Sequence, residues 1–319
     1  MSEDLLELIV AQRVSHPGDI ISLDLARPSG RELPPFEPGA HVDVHVAPGI
    51  VRQYSLYGDP ADASRYRLGV LLDPASRGGS AAIHREMLPG ALVRVGTPRN
   101  HFPLAATAGR SLLVAGGVGI TPLMCMARGL RASRAEFLLH YCTRSFRRTA
   151  FLEELAASGL RDTLVLHHDD EGDAQRFDPL VDLPIADGET HLYVCGPVGF
   201  MDWVIAGARN RGYAERHIHR EYFGSVVDSS GGAFEVVAAK SGITVTVPEG
   251  RSIARLLLAE GVDLSVSCEE GVCGACLVNV IEGVPDHRDV YLTEQEKAAN
   301  DQMLICCSRS KSQRLVLDL

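Results

Sequence analysis

The sequence predicts a multidomain chain of three successive folds: an antiparallel β-barrel, a doubly wound α/β parallel sheet, and a small α+β unit. Three observations predict it. Short apolar or alternating runs separated by Gly/Pro turns fill residues 1–104. Strand-like and helix-like runs then alternate over residues 105–225, the pattern of a parallel sheet. After an Asp-Ser-Ser-Gly-Gly linker within 226–233, residues 234–319 carry Cys268-Glu269-Glu270-Gly271-Val272-Cys273-Gly274-Ala275-Cys276 and, further on, Cys306.

Bulk properties set the limits. A chain of 319 residues holds two or three domains of ~100–150 residues each. A hydrophobic share of 45% and a mean hydropathy of +0.03 describe a globular protein with a sizeable core. No apolar run reaches the ~18 residues that span a bilayer. Residues 1–9 carry acids and lack the basic-then-apolar layout of a signal peptide. The eight cysteines are therefore expected reduced, in the cytoplasm, where ligation of metal is favoured over disulfides. A net charge of −10 argues against nucleic acid or an anionic membrane as a partner.

In the first segment, 6–14 and 19–25 read as strands joined by a turn at His16-Pro17-Gly18-Asp19. Residues 41–46 alternate His-Val-Asp-Val-His-Val, a half-exposed strand. Strands follow at 66–72 and 92–95, and a helix at 80–88 with Ser80 as its cap. Two features carry chemistry. Arg52-Gln53-Tyr54-Ser55 offers a phosphate clamp, an aromatic cover for a flat ring and a hydroxyl for a ring heteroatom. Ser76-Arg77-Gly78-Gly79-Ser80 leads glycines into a helix, where free N–H groups and the positive helix end favour an anion. Each alone is also what an exposed strand arginine or a plain turn looks like; together in one β domain they point to a phosphate-bearing ring.

In the second segment, strand 111–115 runs into Gly116-Gly117-Val118-Gly119-Ile120-Thr121-Pro122 and a helix over 121–132, with Pro122 tolerated in its first turn. Strands at 137–142, 164–168 and 191–195 and helices at 151–158 and 198–211 complete the alternation. The glycine loop sits where such sheets bind nucleotides, at the end of the first strand, although it is not G-x-G-x-x-G. Cys195-Gly196-Pro197 ends a strand at the same edge. Arg144, Arg147 and Arg148 follow the second strand and either bind a 2′-phosphate or face solvent. His167-His168-Asp169-Asp170 reads as a strand end entering a loop, and Cys125 and Cys142 as core thiols.

In the third segment, 234–239 and 244–247 form a hairpin, 252–260 and 293–300 helices, and 277–282, 303–306 and 314–317 strands. The cysteine spacing C-x4-C-x2-C-x29-C is the plant-type ligand pattern of a [2Fe–2S] cluster. Two irons need four thiolates, and Gly271, Gly274 and Ala275 let a backbone wrap the inorganic sulfides. Zinc would favour two C-x2-C knuckles, and there is one. Cys306 and Cys307 are adjacent; on an extended segment they would point opposite ways, so one ligates. Residues 234–319 hold 13 acidic against 8 basic residues, either a solvated surface or a face that steers a basic redox partner.

The order Arg52-Gln53-Tyr54-Ser55, Arg77-Gly78-Gly79-Ser80, Gly116-Gly117-Val118-Gly119-Ile120-Thr121-Pro122, Cys195-Gly196-Pro197, Glu221-Tyr222-Phe223-Gly224 and then the cysteine loop resembles the phthalate dioxygenase reductase family, which includes vanillate O-demethylase reductase components. The resemblance covers essentially the whole chain. It implies an FMN-binding barrel (1–104), an NAD(H)-binding sheet (105–225) and a β-grasp ferredoxin (234–319). It implies that Arg52, Gly78, Gly79 and Ser80 hold the FMN phosphate and that Gln53, Tyr54, Ser55 and Val70 lie along the flavin. Gly117, Gly119, Ile120, Thr121, Cys195, Gly196 and Pro197 would line the NADH channel, with Cys195 near the nicotinamide and Phe223 shielding the flavin. Ser55, Thr121, Cys195, Glu221 and Phe223 would be the orienting set at the reacting atoms. Cys268, Cys273, Cys276 and, by this resemblance, Cys306 would hold the cluster.

The implied function is transfer of electrons from NADH through FMN and [2Fe–2S] to an external Rieske-type oxygenase, by a monomeric reductase. A haem-thiolate monooxygenase is the alternative acceptor. A non-catalytic redox carrier or sensor is the rival from another class, and steady NADH turnover with an artificial acceptor separates it.

Overall fold

The computed structural model describes residues 5–47, 50–74, 78–172, 175–224, 227–266 and 268–319. Ser76 and Arg77 of the glycine turn, and residues 225 and 226 where the linker begins, lie outside the described residues. The chain divides into two compact units, Met1–Glu221 and Tyr222–Leu319.

The first unit begins with β1 (Leu6–His16), β2 (Ile20–Ala26), β3 (Ala40–Ala47), β4 (Ile50–Ser55), β5 (Tyr66–Leu71), α1 (Gly79–Glu86), β6 (Leu92–Val95) and β7 (Arg99–Asn100). The strands run in the order β4-β3-β6-β1-β2-β5, with β7 beside β3, all neighbours antiparallel. The two edges meet at a Leu56↔Leu68 bridge, and the Tyr57 N–H donates to the Arg67 carbonyl, so the sheet closes on itself. Leu8, Val10, Leu23, Val42, Val44 and Leu68 fill its interior. The expected half-exposed strand at 41–46 is buried on both faces through Val44. His41 stacks on His101, and Asp43 pairs with Arg99 and accepts from Gln53. Alternation told which side chains face inward; it could not tell that polar partners cover the other face.

Helix α1 departs from expectation at its start. The cap is Gly78 in a left-handed conformation (φ 90°), with no side-chain cap. Ser80 lies inside the first turn, and its Oγ accepts the Asp73 N–H at 3.2 Å. The serine therefore ties the preceding loop to the helix rather than capping it.

The sheet that follows is built from β8 (Arg110–Gly116), α2 (Ile120–Ala132), β9 (Glu136–Thr143), α3 (Leu152–Ala157), β10 (Leu164–His168), β11 (Thr190–Cys195), α4 (Val198–Asn210) and β12 (Ile218–Glu221). All pairings are parallel, in the order β10-β9-β8-β11-β12. Ser111 through Gly116 are continuously buried, as a strand covered on both faces must be. Strand β12 has no apolar run (Ile-His-Arg-Glu), so sequence periodicity missed it. The barrel and this sheet share a seam: Gly69 of β5 faces Thr121 and Phe151, and a methyl group there would lie 2.6 and 2.9 Å from them.

The second unit contains β13 (Phe234–Ala238), β14 (Ile243–Val247), α5 (Ile253–Ala259), β15 (Leu277–Glu282), β16 (Pro285–Asp286), α6 (Glu294–Ala299), β17 (Gln302–Leu304), β18 (Arg309–Ser310) and β19 (Arg314–Leu317). Its sheet runs β14-β13-β19-β15-β17, with β13 and β19 parallel. Ser252 caps α5, and a capping box of Thr293 and Glu296 opens α6. The expected strand 303–306 stops at Leu304, and residues 305–307 form a turn. Opposite-facing neighbours on an extended segment therefore do not decide between Cys306 and Cys307, which are both buried. The linker is also less free than its composition suggests. Arg288 donates to the carbonyls of Asp228 and Ser230, and Arg309 to those of Gly231 and Gly232.

Where the strand order reverses, between β8 and β11, two glycine loops press together. A methyl group on Gly119 would overlap the Cys195 carbonyl, and one on Gly196 would lie 3.0 Å from the Gly116 Cα. Gly119→Ala is expected to destabilise the protein by about 1–3 kcal/mol, because backbone on both sides must move. Thermal unfolding measures this; a melting temperature equal to that of the parent would show that the loops yield freely.

Candidate flavin, nucleotide and iron–sulfur sites

The structure brings Arg52 of β4 onto the start of α1. A methyl group on Gly79 would lie 2.7 Å from the Arg52 Nε, so the guanidinium occupies space that only glycine leaves open. Its Nη1 donates to the Val51 carbonyl at 2.8 Å. An arginine beside the N-terminus of a helix, with a left-handed glycine before it, forms a cradle for a phosphate. Tyr54, on the same face of β4, packs against the barrel core, and burial raises its phenol well above the usual value. Gln53 turns to the opposite side, toward His41 and Asp43. Val70 is fully buried in the barrel wall and its carbonyl contacts His84, so its side chain presents no open face.

Ser55 ends β4 and donates to Glu221 Oε2 at 2.9 Å, joining the barrel to the last strand of the parallel sheet. Cys195 lies opposite Glu221 in the β11–β12 register. Burial, with Glu221 adding to it, pushes the Cys195 thiol far above its ordinary value, so it is a neutral, fully buried group. Burial likewise raises Glu221 to about 7, against the pull of the Ser55 hydroxyl. Thr121 is buried as well: its hydroxyl donates to the Val118 carbonyl at 3.0 Å and its methyl faces Gly69. Thr121 and Cys195 thus shape the walls of the switch point, with no surface open to a ligand. Ile120 is buried beneath them. Gly117, at φ 55°, is partly open and Pro197, at the start of α4, is exposed at the same sheet edge. Phe223 belongs to the second unit and has 45% of its surface exposed.

Arg144, Arg147 and Arg148 are exposed after β9. His167 and His168 end β10, and Asp169 and Asp170 follow as an exposed turn, the expected strand end entering a loop. His167 pairs with His140 at 2.9 Å and His168 with Thr143 at 3.0 Å, both inside the fold.

In the second unit the four predicted thiols come together. Cys268 interacts with Cys273 and with Cys306, and Cys276 with Cys306. The shared contacts lower Cys268 and Cys276 and raise Cys273 and Cys306, the behaviour of thiols too close to ionise together. The Glu270 N–H points at the Cys268 sulfur at 3.3 Å. Gly271 (φ 72°) and Gly274 (φ 74°) take conformations that other residues avoid. A methyl group on Gly271 would lie 2.5 Å from the Cys307 sulfur, and one on Gly274 would overlap the Tyr291 ring. Cys307 contacts Leu304 and Ser308 at 3.8 Å, and also its neighbour Cys306. Among the described residues, no group of three or more His, Cys, Asp or Glu is arranged for a single metal ion. A binuclear cluster asks for something different, two pairs of thiolates on two irons, and the pairwise contacts of this quartet fit it. Glu269 is spent locally, in an ion pair with Arg255 at 2.6 Å.

Sequence reasoning missed three groups that shape these sites: Gly69 under Thr121, Arg255 against the cysteine loop, and Asp289, buried beside Gly271. None belongs to a periodic pattern or a recognisable spacing.

The Glu221 value has a consequence for stability. A carboxyl whose folded-state pKa lies above its usual 4.5 holds its proton more tightly when folded. Its stabilising contribution is complete below about 4.5 and is lost as pH rises through about 7. Unfolding free energies across this range are expected to show a downward component that Glu221→Gln abolishes. Identical slopes in the two proteins would contradict the assignment.

Comparison with known proteins agrees with this geometry. A model of the 2Fe-2S iron-sulfur cluster binding domain matches residues 236–311, and one of the oxidoreductase NAD-binding domain matches residues 113–205. A vanillate O-demethylase oxidoreductase of Pseudomonas sp. (strain HR199 / DSM 7063) is 47% identical over 99% of this chain and 100% of its own length. A phthalate 4,5-dioxygenase oxygenase reductase subunit of Pseudomonas putida is 42% identical over 94% of this chain and 92% of its own. The structure of phthalate dioxygenase reductase superposes with a TM-score of 0.77 at 38% identity, covering 99% of this chain and 98% of that one. An intact type IV self-sufficient cytochrome P450 monooxygenase superposes with a TM-score of 0.83 at 38% identity, covering 99% of this chain and 41% of that longer one. The chain belongs to the phthalate dioxygenase reductase and vanillate O-demethylase reductase family, and is an oxygenase-reductase-type oxidoreductase that uses NAD(H), a flavin and a [2Fe–2S] cluster.

Proposed function

We propose that this chain takes electrons from NADH at FMN and delivers them singly, through its C-terminal cluster, to a Rieske-type non-haem iron oxygenase of the aromatic demethylase or dioxygenase class. The observation that carries the reading is the thiol quartet in a chain that also holds an Arg52–Gly79 phosphate cradle and a nucleotide-type glycine edge. Full-length identity to demethylase and dioxygenase reductases supports the acceptor.

We divide the chain into a flavin barrel (1–104), a nucleotide sheet (105–225), a linker (226–233) and a ferredoxin (234–319), acting as a monomer in the cytoplasm. No helix among the described residues is long and apolar enough to cross a membrane. When bound, flavin and cluster convert a hydride pair into single electrons. The chain's own residues bind and orient. Arg52 and the α1 start would hold the phosphate, and Tyr54 would lie along the ring. Ser55 is held by Glu221 in one orientation. With Glu221 near 7, this pair can hold or release one proton at the carboxyl beside the flavin edge. Cys195, Thr121 and Ile120 keep water out from behind the nicotinamide. Cys268, Cys273, Cys276 and Cys306 hold the irons.

The self-sufficient P450 neighbour favours a second acceptor, a haem-thiolate monooxygenase. Single-turnover mixing of the NADH-reduced protein with a purified Rieske oxygenase and with a haem-thiolate enzyme separates the two by rate. Reduction of neither acceptor would sink the reading.

Two variants test the division of labour. Cys273→Ser is expected to abolish acceptor reduction while the rate of flavin reduction by NADH, followed anaerobically, stays within about twofold of the parent. An equal fall in both steps would contradict the division proposed. Arg52→Ala is expected to weaken FMN binding roughly 10- to 100-fold, the ~1.5–3 kcal/mol of a charge-assisted contact. Fluorescence titration of the apoprotein measures it, and unchanged affinity would remove Arg52 from the site.

A further inference from the structure

Beside the cysteine loop lies a buried carboxylate to which the electron path assigns no role. The Asp289 side chain is fully shielded from solvent. Its Oδ1 accepts from Ser308 Oγ at 3.4 Å and its Oδ2 from the Leu292 N–H at 2.8 Å. His287 Nδ1 stands 3.7 Å from Oδ1, and neither nitrogen of that buried imidazole has a hydrogen-bond partner among the described residues. Ser308 also accepts the Arg288 N–H at 3.3 Å, and it follows Cys306 and Cys307 directly. On the other side, the Asp289 main chain presses on Gly271, where an added methyl group would meet its Cα at 3.1 Å, and the Val290 N–H donates to the Gly271 carbonyl at 3.1 Å. Residues 288–292 therefore touch both the loop that carries three cysteines and the turn that carries the fourth.

We propose that Asp289 is a positioning residue for the iron–sulfur site, splinting the Cys306 turn to the Gly271 loop through Ser308 and holding the cluster's reduction potential down with its buried charge. A buried carboxylate is costly to desolvate and here has two hydrogen bonds to offset that cost. In low-dielectric surroundings its charge opposes the arrival of a further electron nearby. Removing the charge while keeping the shape should make the cluster easier to reduce. Removing the Ser308 contact while keeping the charge should loosen the site.

The inference rests on the cluster reading, so iron and sulfide content and the EPR signal of the reduced parent are measured first; a parent without iron overturns that reading and this role with it, whereas a parent with the cluster leaves the variants below to decide the role alone. Redox titration followed by EPR then compares parent and Asp289→Asn. The expected result is a positive shift in midpoint potential with flavin reduction by NADH unchanged. A potential equal to the parent's overturns the charge role. In Ser308→Ala, iron release to a chelator is expected to be several-fold faster with an unaltered far-ultraviolet spectrum. Release at the parent's rate overturns the splint. If Asp289→Asn takes up no iron, Ser308→Ala decides alone, because it retains the carboxylate.

Discussion

Four thiols in contact cannot all ionise unless cations sit among them, and the second unit is organised around that constraint. Cys276, Cys306 and Cys307 are part of its apolar core. The loop from Cys268 to Cys276 has no regular structure of its own and gains its shape from contacts that leave no room for side chains at Gly271 and Gly274. Small units of this size commonly lean on metal for part of their stability. The glycines are thus requirements of close approach, and the metal offsets the thiolate repulsion that the close approach creates.

A comparable logic operates in the first unit, with backbone in place of metal. At the switch point of the parallel sheet, Gly119 rests on the Cys195–Gly196 peptide and Gly116 on Phe200. Contacts this close are possible because no side chain intervenes, and they leave the exposed backbone of the loops at the sheet edge for a ligand. The same economy of space recurs at Gly79 under Arg52 and at Gly69 under Thr121. In each case the residue that sequence reasoning singled out for chemistry is fixed by a glycine facing it from another element.

This explains which parts of the molecule could be read from sequence. The parallel sheet announced itself because β8, β9 and β11 are buried, largely apolar runs, and the cysteine loop because its spacing is set by covalent reach to two irons. Strand β12 was silent because its residues are polar and its partner is a single neighbouring strand. That only one of Cys306 and Cys307 ligates was argued from an extended segment that turns out to be a turn, while the choice of Cys306 came from the family resemblance. Ser80 looked like a cap because caps are local, yet a left-handed Gly78 took that role. Thr121 and Cys195 were expected to line the nicotinamide channel and are buried walls, packed against Gly69 and β12, neither of which is near them in sequence.

The Ser55–Glu221 contact shows how such distant pairings acquire chemistry. Ser55 ends a barrel strand and Glu221 ends the last parallel strand, 166 positions away. Each is unremarkable in its own context, a hydroxyl and a surface-type acid. Brought to 2.9 Å in crowded surroundings, the carboxyl is raised to about 7, where it exchanges its proton near neutrality. A carboxyl that titrates near neutrality can take up or give off one proton without any movement of the backbone. Cys195, the neighbour of Glu221 across the register, stays neutral and so adds no charge of its own. The pairing of a raised carboxyl with a silent thiol leaves Glu221 as the group within this edge that responds to pH, while the thiol fills space beside it.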